Sequence, residues 1–283
     1  MMATLPQARF RSMRPSKLLL LLILIVLLPA CSTLFGKHEN PNNMTVQQLY
    51  ARATKAIKVG NFTRAEGIYT RLIARFPYGP YTQRAQINLA FAQYKEDKPD
   101  DAYSTVHRYI RTYPAAKDIT YAYYLLGLIN FNRSGGLLSR LFPVDRTERD
   151  QGYAVQSFDD FSQLLQRYPN SRYSQAARQR MIWLRNGLAK SELNTAMYYY
   201  QREAYIGALH RAIYIVKHYQ RAPQIGDALA LMIKCYEQLG DQKLAKQTLQ
   251  VLKLNYPNHP YFKDPEGWPH FHSMWWRLIP LFG

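Results

Sequence analysis

The stretch AEGIYTRLIARFP, residues 65–77, contains the pattern from which the fold is predicted. A small residue, Ala65, is followed by Leu72 seven positions later, and the stretch ends in the pair Phe76-Pro77. Seven positions are close to two helical turns, so Ala65 and Leu72 share one helix face. A small residue allows a partner helix to approach closely, and a proline ends the helix before it. The stretch therefore predicts the second helix of a packed helix pair.

The same pattern occurs five times along the chain, with one departure. The positions that match Ala65, Leu72 and Phe76-Pro77 are Ala102, Tyr109 and Tyr113-Pro114; Ser157, Leu164 and Tyr168-Pro169; Ala208, Ile215 and Tyr219-Gln220; and Ala245, Leu252 and Tyr256-Pro257. Gly60 and Gly240 stand five positions before a small residue, where a turn between two helices is expected. Because Gln220 replaces a proline, we expect the fourth of these helices to run a turn further than the others.

This repetition indicates an all-α solenoid. The intervals from 65 to 102 and from 208 to 245 lie near the tetratricopeptide period of about 34 residues. We predict a tetratricopeptide-repeat superhelix of about five helix pairs with a C-terminal extension. The third copy is predicted to carry an exposed loop over residues 133–149, and the fourth to open with a long helix over roughly residues 174–200. An unrelated helical bundle is the alternative.

The first thirty residues have the features of an export signal. They contain no acidic residue, and four basic residues precede an apolar run, Leu18 to Leu28, that is too short to cross a bilayer. The run ends in LPACS, residues 28–32, which resembles a bacterial lipobox. Residues 1–30 are therefore predicted to be a lipoprotein signal peptide, with Cys31 acylated and residues 31–44 a linker. A plain signal peptide is the alternative, and Met1 and Met13 are both candidate start positions.

Charge narrows the range of partners. Lysine and arginine number 37 against 19 acidic residues, and removal of the four basic residues in 1–30 leaves 33 − 19 = +14. Nucleic acid is excluded because an exported protein meets none, and Ser32 after the lipobox Cys favours the outer membrane, facing the periplasm. Acidic protein surfaces and anionic lipids are the expected partners. Cys235, in an apolar helical pattern, is predicted to be an inert buried thiol.

The sequence offers no arrangement of catalytic or metal-binding residues, so no catalytic residue, metal or cofactor is predicted. His270 and His272 lie two apart with no third ligand nearby. Asp159 and Asp160 are adjacent, and their side chains point about 100° apart on a helix, which does not suit paired acid–base catalysis. A non-enzymatic binding function is therefore expected.

Two segments are more specific than the repeat. Residues 75–81 read RFPYGPY, and residues 144–150 read VDRTERD and lead into SFDDFS, residues 157–162. With the lipobox and the five repeats, they closely resemble the BamD (ComL) family of outer-membrane lipoproteins of the β-barrel assembly machinery, over about residues 45–257. The resemblance implies a scaffold, not an enzyme. It implies that the scaffold binds BamA through a POTRA domain of BamA, and that it also binds BamC and other Bam lipoproteins. It further implies that the scaffold receives unfolded outer-membrane proteins for folding and insertion.

The resemblance also implies two binding surfaces. In the family the first two repeats carry the pocket for the C-terminal targeting strand of an unfolded protein. The residues that fall there are Phe76, Tyr78, Gly79 and Tyr81, with Arg71, Arg75 and Arg84 to pair with the carboxylate of the strand. The C-terminal repeats carry the BamA-binding face, where Arg211 matches an arginine that pairs with a POTRA carboxylate and Arg202 lies on the same segment. A rigid turn at 78–81 and a solvated Arg211 are the alternatives.

These implications divide the mature chain into three parts. Residues 45–172 are the substrate-side half, residues 173–257 the BamA-side half, and residues 258–283 an aromatic-rich tail. The tail holds Trp268, Trp275 and Trp276. It either caps the open end of the last repeat, which we favour, or docks on a partner or the membrane interface. The alternative function is a tetratricopeptide pilotin for secretin or pilus assembly.

Overall fold

The computed structural model describes residues 43–134 and 151–269 of the 283-residue chain. Within these ranges there is no β-strand. The described helices, in chain order, are α1 Val46–Lys58, α2 Phe62–Arg75, α3 Pro80–Lys95, α4 Pro99–Thr112, α5 Ile119–Arg133, α6 Gly152–Arg167, α7 Ser174–Gln201, α8 Tyr205–His218, α9 Ile225–Gln238 and α10 Gln242–Asn255, followed by a 3₁₀ turn, Pro260–Phe262. They confirm the all-α prediction, the five helix pairs and the long helix that opens the fourth.

The chain divides into two compact units, residues 1–49 and residues 50–283. Of the first unit, the structure describes only residues 43–49, which include the start of α1. In the second unit, each helix from α2 to α10 packs against the next along the chain. This succession of neighbouring contacts is the packing expected of a helical solenoid.

The repeated positions found in the sequence form the interior of the second unit. All ten are buried, and nine of them have no exposed surface. They are the small residues Ala65, Ala102, Ser157, Ala208 and Ala245, and the residues seven positions later, Leu72, Tyr109, Leu164, Ile215 and Leu252. The pattern therefore predicted the buried face of α2, α4, α6, α8 and α10 correctly.

The aromatic residue that follows each of these helices ends it through the backbone. In all five cases its N–H donates to the carbonyl oxygen four residues earlier, at 2.8–2.9 Å; the residues are Phe76, Tyr113, Tyr168, Tyr219 and Tyr256. The predicted extension of α8 is wrong, because α8 ends at His218 just as its counterparts end one residue before their aromatic residue. The Ala222 N–H also bonds to the Tyr219 carbonyl at 3.0 Å, so the turn forms without proline.

A second backbone feature joins the two helices within a pair. Gly60 and Gly240 have positive φ values of 75° and 79°, and Asp97 and Glu203 adopt the same conformation with φ of 59° and 61°. The next residue in each turn donates its N–H to a carbonyl five residues earlier, at 2.9–3.0 Å. This is the arrangement that closes many helix C-termini, and glycine adopts it at the lowest cost. The turns predicted at Gly60 and Gly240 are confirmed.

The end of the described chain packs into the core of the last repeats. Tyr261 and Trp268 are buried there with residues of α7 to α10, and their rings meet edge-on at 6.0 Å. Residues 258–269 therefore cap the last pair, through turns and a 3₁₀ segment. Trp275 and Trp276, like Cys31, His270, His272 and most of the predicted loop at 133–149, lie outside the described residues. Cys235 is buried as predicted, and burial raises its pKa to about 12.

Candidate partner-binding and peptide-binding surfaces

Arg211 lies on the exposed side of α8 and is held by an acid on α7. Its Nη1 lies 2.9 Å from Glu192 Oε2, with 45% of the Arg211 side chain and 21% of the Glu192 side chain exposed. This hydrogen bond raises the pKa of the Arg211 guanidinium. A partly exposed ion pair stabilises a protein by only about 1 kcal/mol or less. A partner carboxylate can therefore compete for Arg211 at low cost to the fold.

Aromatic side chains lie on the same side of α8 as Arg211. Tyr214, one turn further along α8, is 42% exposed, and its ring lies 4.3 Å from that of His218. Arg211, Tyr214 and His218 follow each other at spacings of three and four residues, so they share one side of the helix. Tyrosine and arginine are the residue types enriched at the energetic centres of protein interfaces. This side of α8, the α8 face, is thus suited to binding a protein.

Arg202 lies at the other end of the same segment. It caps the C-terminus of α7, and its guanidinium stacks over the ring of Tyr198 at 4.7 Å. Both side chains are exposed. The structure places Arg202 in the turn before α8 and Arg211 in the middle of α8, where it pairs with Glu192.

The residues predicted for the peptide pocket lie in the second half of α2, in the turn after it and at the start of α3. Tyr78 is 89% exposed, and Gly79 has a φ of 111°, which favours glycine. Arg75 lies over the ring of Phe76 at 5.0 Å, and Arg84 is exposed in the second turn of α3. Gly79 is the residue that caps the start of α3. Because glycine has no side chain, it cannot provide a side-chain acceptor for the first N–H groups of that helix. Such a helix N-terminus attracts an anion.

A groove lies across the first repeats, and none of its lining residues belongs to that turn. It measures about 320 Å³, and its walls come from α1, α2, α3, the start of α5 and the start of α7. The residues that line it are Thr54, Ile57, Tyr69, Ile87, Asn88, Phe91, Asp118, Tyr121, Arg172 and Tyr173. Aromatic walls with a few polar groups are typical of sites that bind an extended peptide or a small ligand.

A chain of hydrogen bonds holds the groove together. Asn88 donates to the Tyr69 hydroxyl at 3.2 Å and to the Tyr50 hydroxyl at 3.1 Å, and Tyr69 also bonds to Thr54 at 3.1 Å. Burial raises the pKa of Tyr69, so its hydroxyl remains protonated and can donate. The Tyr50 ring packs edge-on against Tyr81 at 5.4 Å. Through Tyr50, the groove is thus connected to one of the predicted pocket residues.

Sequence reasoning missed the groove itself. None of the seven residues predicted for the peptide pocket lines it, although the ring of Tyr81 packs on Tyr50, which is hydrogen-bonded to Asn88 of the groove. The signal that was available is Asn88, a single amide within the apolar run Ile87 to Ala92 of α3. A polar residue inside an apolar helix face must find hydrogen-bond partners, and here they are the tyrosines of the groove.

Asp159 and Asp160, which are adjacent in the sequence, differ in burial. Asp160 is buried in α6, where it accepts hydrogen bonds from Asn130 at 2.7 Å and Gln156 at 3.2 Å, and burial raises its pKa. Asp159 next to it is exposed. In residues 43–134 and 151–269, no group of three His, Cys, Asp or Glu side chains is placed to hold a metal ion. Over the same residues, no helix combines the length and apolarity needed to cross a membrane.

Comparison with known proteins extends the resemblance seen in the sequence. A family model described as YfiO, outer membrane lipoprotein, matches residues 42–252. An "Outer membrane protein assembly factor BamD" from Xylella fastidiosa strain Temecula1 is 40% identical over 266 residues, which cover 94% of this chain and 90% of that protein. Proteins of the same name from Neisseria meningitidis serogroup B and Vibrio cholerae serotype O1 are 36% and 34% identical. These two alignments cover 92% and 80% of this chain, and 98% and 95% of those proteins.

Proposed function

This chain belongs to the YfiO family of outer membrane lipoproteins, the family of the assembly factor BamD, and on that premise we propose that it binds a POTRA domain of BamA through the α8 face. The chain is an outer membrane protein assembly factor associated with that membrane, and its fold is of a scaffold type. The finer partners, BamA, BamC and other Bam lipoproteins, belong to the proposal. So do acylation of Cys31 and a position on the periplasmic side.

One observation carries the BamA contact. Arg211 is partly exposed beside the exposed ring of Tyr214, and its only described acidic partner is Glu192 on the neighbouring helix. A carboxylate from a partner can share or replace Glu192 while the aromatic side chains bury apolar surface around it. Arg202, exposed at the entry to α8, extends the basic surface toward the same partner.

The test is recovery of partners from detergent-solubilised outer membranes. Tagged wild type is compared with Arg211→Glu, and with Lys217→Glu as the matched control, because Lys217 is exposed on the same helix. We expect BamA to be recovered with wild type and Lys217→Glu and to be lost with Arg211→Glu, while thermal unfolding shows that all three are folded. BamA recovery with Arg211→Glu removes that residue from the contact. A secretin in place of BamA would support the pilotin alternative.

The substrate part of the proposal uses both the groove and the turn before α3. We place the side chains of an extended targeting strand in the groove, between the rings of Tyr69, Phe91 and Tyr121. Its terminal carboxylate then lies at the N-terminus of α3 with Arg75 and Arg84, next to Phe76, Tyr78, Gly79 and Tyr81. The packing of Tyr81 on Tyr50, and the hydrogen bond from Asn88 to Tyr50, support a continuous path.

A peptide-binding assay tests whether the terminal carboxylate binds at the turn before α3 or in the groove. The probes are an extended peptide that ends in an aromatic residue with a free carboxylate, and the same peptide with an amide end. Arg84→Gln is expected to remove most of the preference for the free acid, on the order of tenfold. Arg172→Gln, in the groove, is expected to weaken both peptides equally. If Arg172→Gln alone removes the acid preference, the carboxylate lies in the groove and not at the turn.

A further inference from the structure

The exposed side of the first helix pair carries an excess of positive charge. Between Val46 and Arg75, six lysines and arginines stand against one acid, Glu66. That acid is engaged elsewhere, since Glu66 Oε2 lies 2.5 Å from the Nζ of Lys98, just before α4. The cations of α1 and α2 therefore have no second acid in their own helix pair to neutralise them.

Three of these cations meet at one place. Arg52 and Lys55 of α1 and Arg64 of α2 line a hollow of about 210 Å³ together with Asn61 and Val59, and we name it the basic pocket. In the part of the chain that the structure describes, the side chains of Lys55 and Arg64 form no ion pair. Converging cations around a small hollow attract an oxyanion, and a phosphate group offers several acceptor oxygens to them.

The surroundings of the basic pocket match a membrane surface better than a single small anion. Arg71, exposed and two helical turns after Arg64, continues the positive charge along α2 beyond the hollow. Val59, at the rim, is 71% exposed. An apolar side chain among cations is the combination found on helices that lie at the boundary between lipid headgroups and acyl chains. A surface with repeated phosphates fits this combination.

The position of α1, which follows Cys31 after a short linker, also favours a membrane surface as the ligand. The linker between Cys31 and α1, residues 31–44, spans at most about 50 Å when fully extended. Acylation at Cys31 therefore keeps the start of α1 within about 50 Å of the membrane, where it can reach the surface repeatedly. We propose that the basic pocket binds headgroup phosphates of anionic phospholipids and holds the first helix pair against the membrane. This inference rests on the lipid-anchored location given above, and it adds a second, reversible membrane contact.

The test is binding to phospholipid vesicles in the absence of the acyl anchor. The mature chain, residues 31–283 with Cys31→Ser, is sedimented with phosphatidylethanolamine vesicles that contain or lack phosphatidylglycerol. Lys55→Gln/Arg64→Gln is compared with Lys243→Gln/Lys246→Gln, which removes the same charge from exposed positions on α10. Because each basic residue near an anionic surface adds binding energy, we expect the first variant to lose on the order of tenfold in binding to the phosphatidylglycerol vesicles, and the second to lose little.

Three results would overturn the proposal. Wild type could fail to prefer the phosphatidylglycerol vesicles, the two variants could lose binding equally, or soluble glycerol phosphate could displace the vesicles, which would indicate a small-anion site. Lys55→Arg/Arg64→Lys keeps the charge and is expected to bind as wild type does. BamA recovery, measured with the lipidated forms, distinguishes this proposal from the previous one, since Lys55→Gln/Arg64→Gln is expected to retain BamA and Arg211→Glu to lose it.

Discussion

The first helix pair, α1–α2, and the last, α9–α10, use the same positions to form the same fold. Each has a glycine with positive φ between its helices, Gly60 and Gly240. In each, the next residue caps the second helix by accepting from a backbone N–H at 3.0 Å: Asn61 from Arg64, and Asp241 from Leu244. Leu72 and Leu252 occupy equivalent positions, and neither has any exposed surface.

The surfaces of the two pairs differ in charge, although their buried positions are alike. The first pair carries six basic residues and one acid between residues 46 and 75, whereas the last carries four basic and three acidic residues between 225 and 255. The residue types at the buried positions are constrained by the packing of one helix on the next. The exposed positions are not under this constraint, so their residue types can suit the binding of partners. Differences between the pairs therefore indicate function, and their common positions indicate the fold.

The largest effect is expected from the shared core position. Leu72→Ala and Leu252→Ala each leave a cavity beside a small residue of the same repeat, and each is expected to cost about 2–5 kcal/mol of unfolding free energy. Urea unfolding followed by circular dichroism measures both. Similar losses would support the equivalence of the two pairs. A loss below about 1 kcal/mol at one of them would show that its surroundings collapse into the space and that the two cores are not alike.

A second prediction asks whether the two pairs open independently. Cys235 lies in the same hydrophobic cluster as Leu252, and its pKa of about 12 leaves very little thiolate at pH 8. Modification by a thiol reagent then follows local opening of the last pairs. Leu252→Ala is expected to accelerate it by more than about tenfold and Leu72→Ala to leave it nearly unchanged. Equal acceleration by the two variants would mean that the solenoid unfolds as one unit.

The helix caps provide a smaller test of the same equivalence. Asn61→Ala and Asp241→Ala each remove the acceptor for one N–H at a helix start, and each is expected to cost about 1 kcal/mol. Asp241 also places a negative charge at the N-terminus of α10, so its loss is expected to be the greater of the two at low ionic strength. Thermal unfolding at two salt concentrations measures the difference. A salt dependence for Asn61→Ala equal to that for Asp241→Ala would contradict the electrostatic part.

The interior of this fold was predictable because its signal is periodic. The spacing of Ala65, Leu72 and Phe76 repeats five times, and each copy adds the same constraint on helix packing. The prediction made from Gln220 was wrong, because this helix does not need a proline to end. The bond from the Tyr219 N–H to the Ile215 carbonyl, at 2.9 Å, ends α8 by itself.

The binding surfaces were less predictable because they depend on contacts between distant residues. The hydrogen bonds of Asn88 to Tyr50 and Tyr69 join α3 to α1 and α2. The apolar run around Asn88 indicates that its amide needs partners, but it does not indicate which residues of other helices supply them. The pairing of Arg211 with Glu192 likewise crosses from α8 to α7. The position of Arg211 came from the family resemblance, and only the structure shows which acid a partner would have to displace.

The smallest expected effect concerns the turns in which the other pairs depart from the first and the last. Asp97 and Glu203 hold the positive φ that glycine holds at residues 60 and 240. Asp tolerates this conformation better than Glu, because its short side chain can bond to the nearby backbone. Glu203→Gly is therefore expected to stabilise the chain by about 0.5 kcal/mol, after the cost of the added flexibility of glycine in the unfolded state, and Asp97→Gly is expected to change the stability less.

The shift of the thermal midpoint of unfolding measures the effect of both substitutions. If Asp97→Gly gains as much as Glu203→Gly, side-chain type does not set the cost of these turns, and the glycines of the first and last pairs have no advantage over the residues they match.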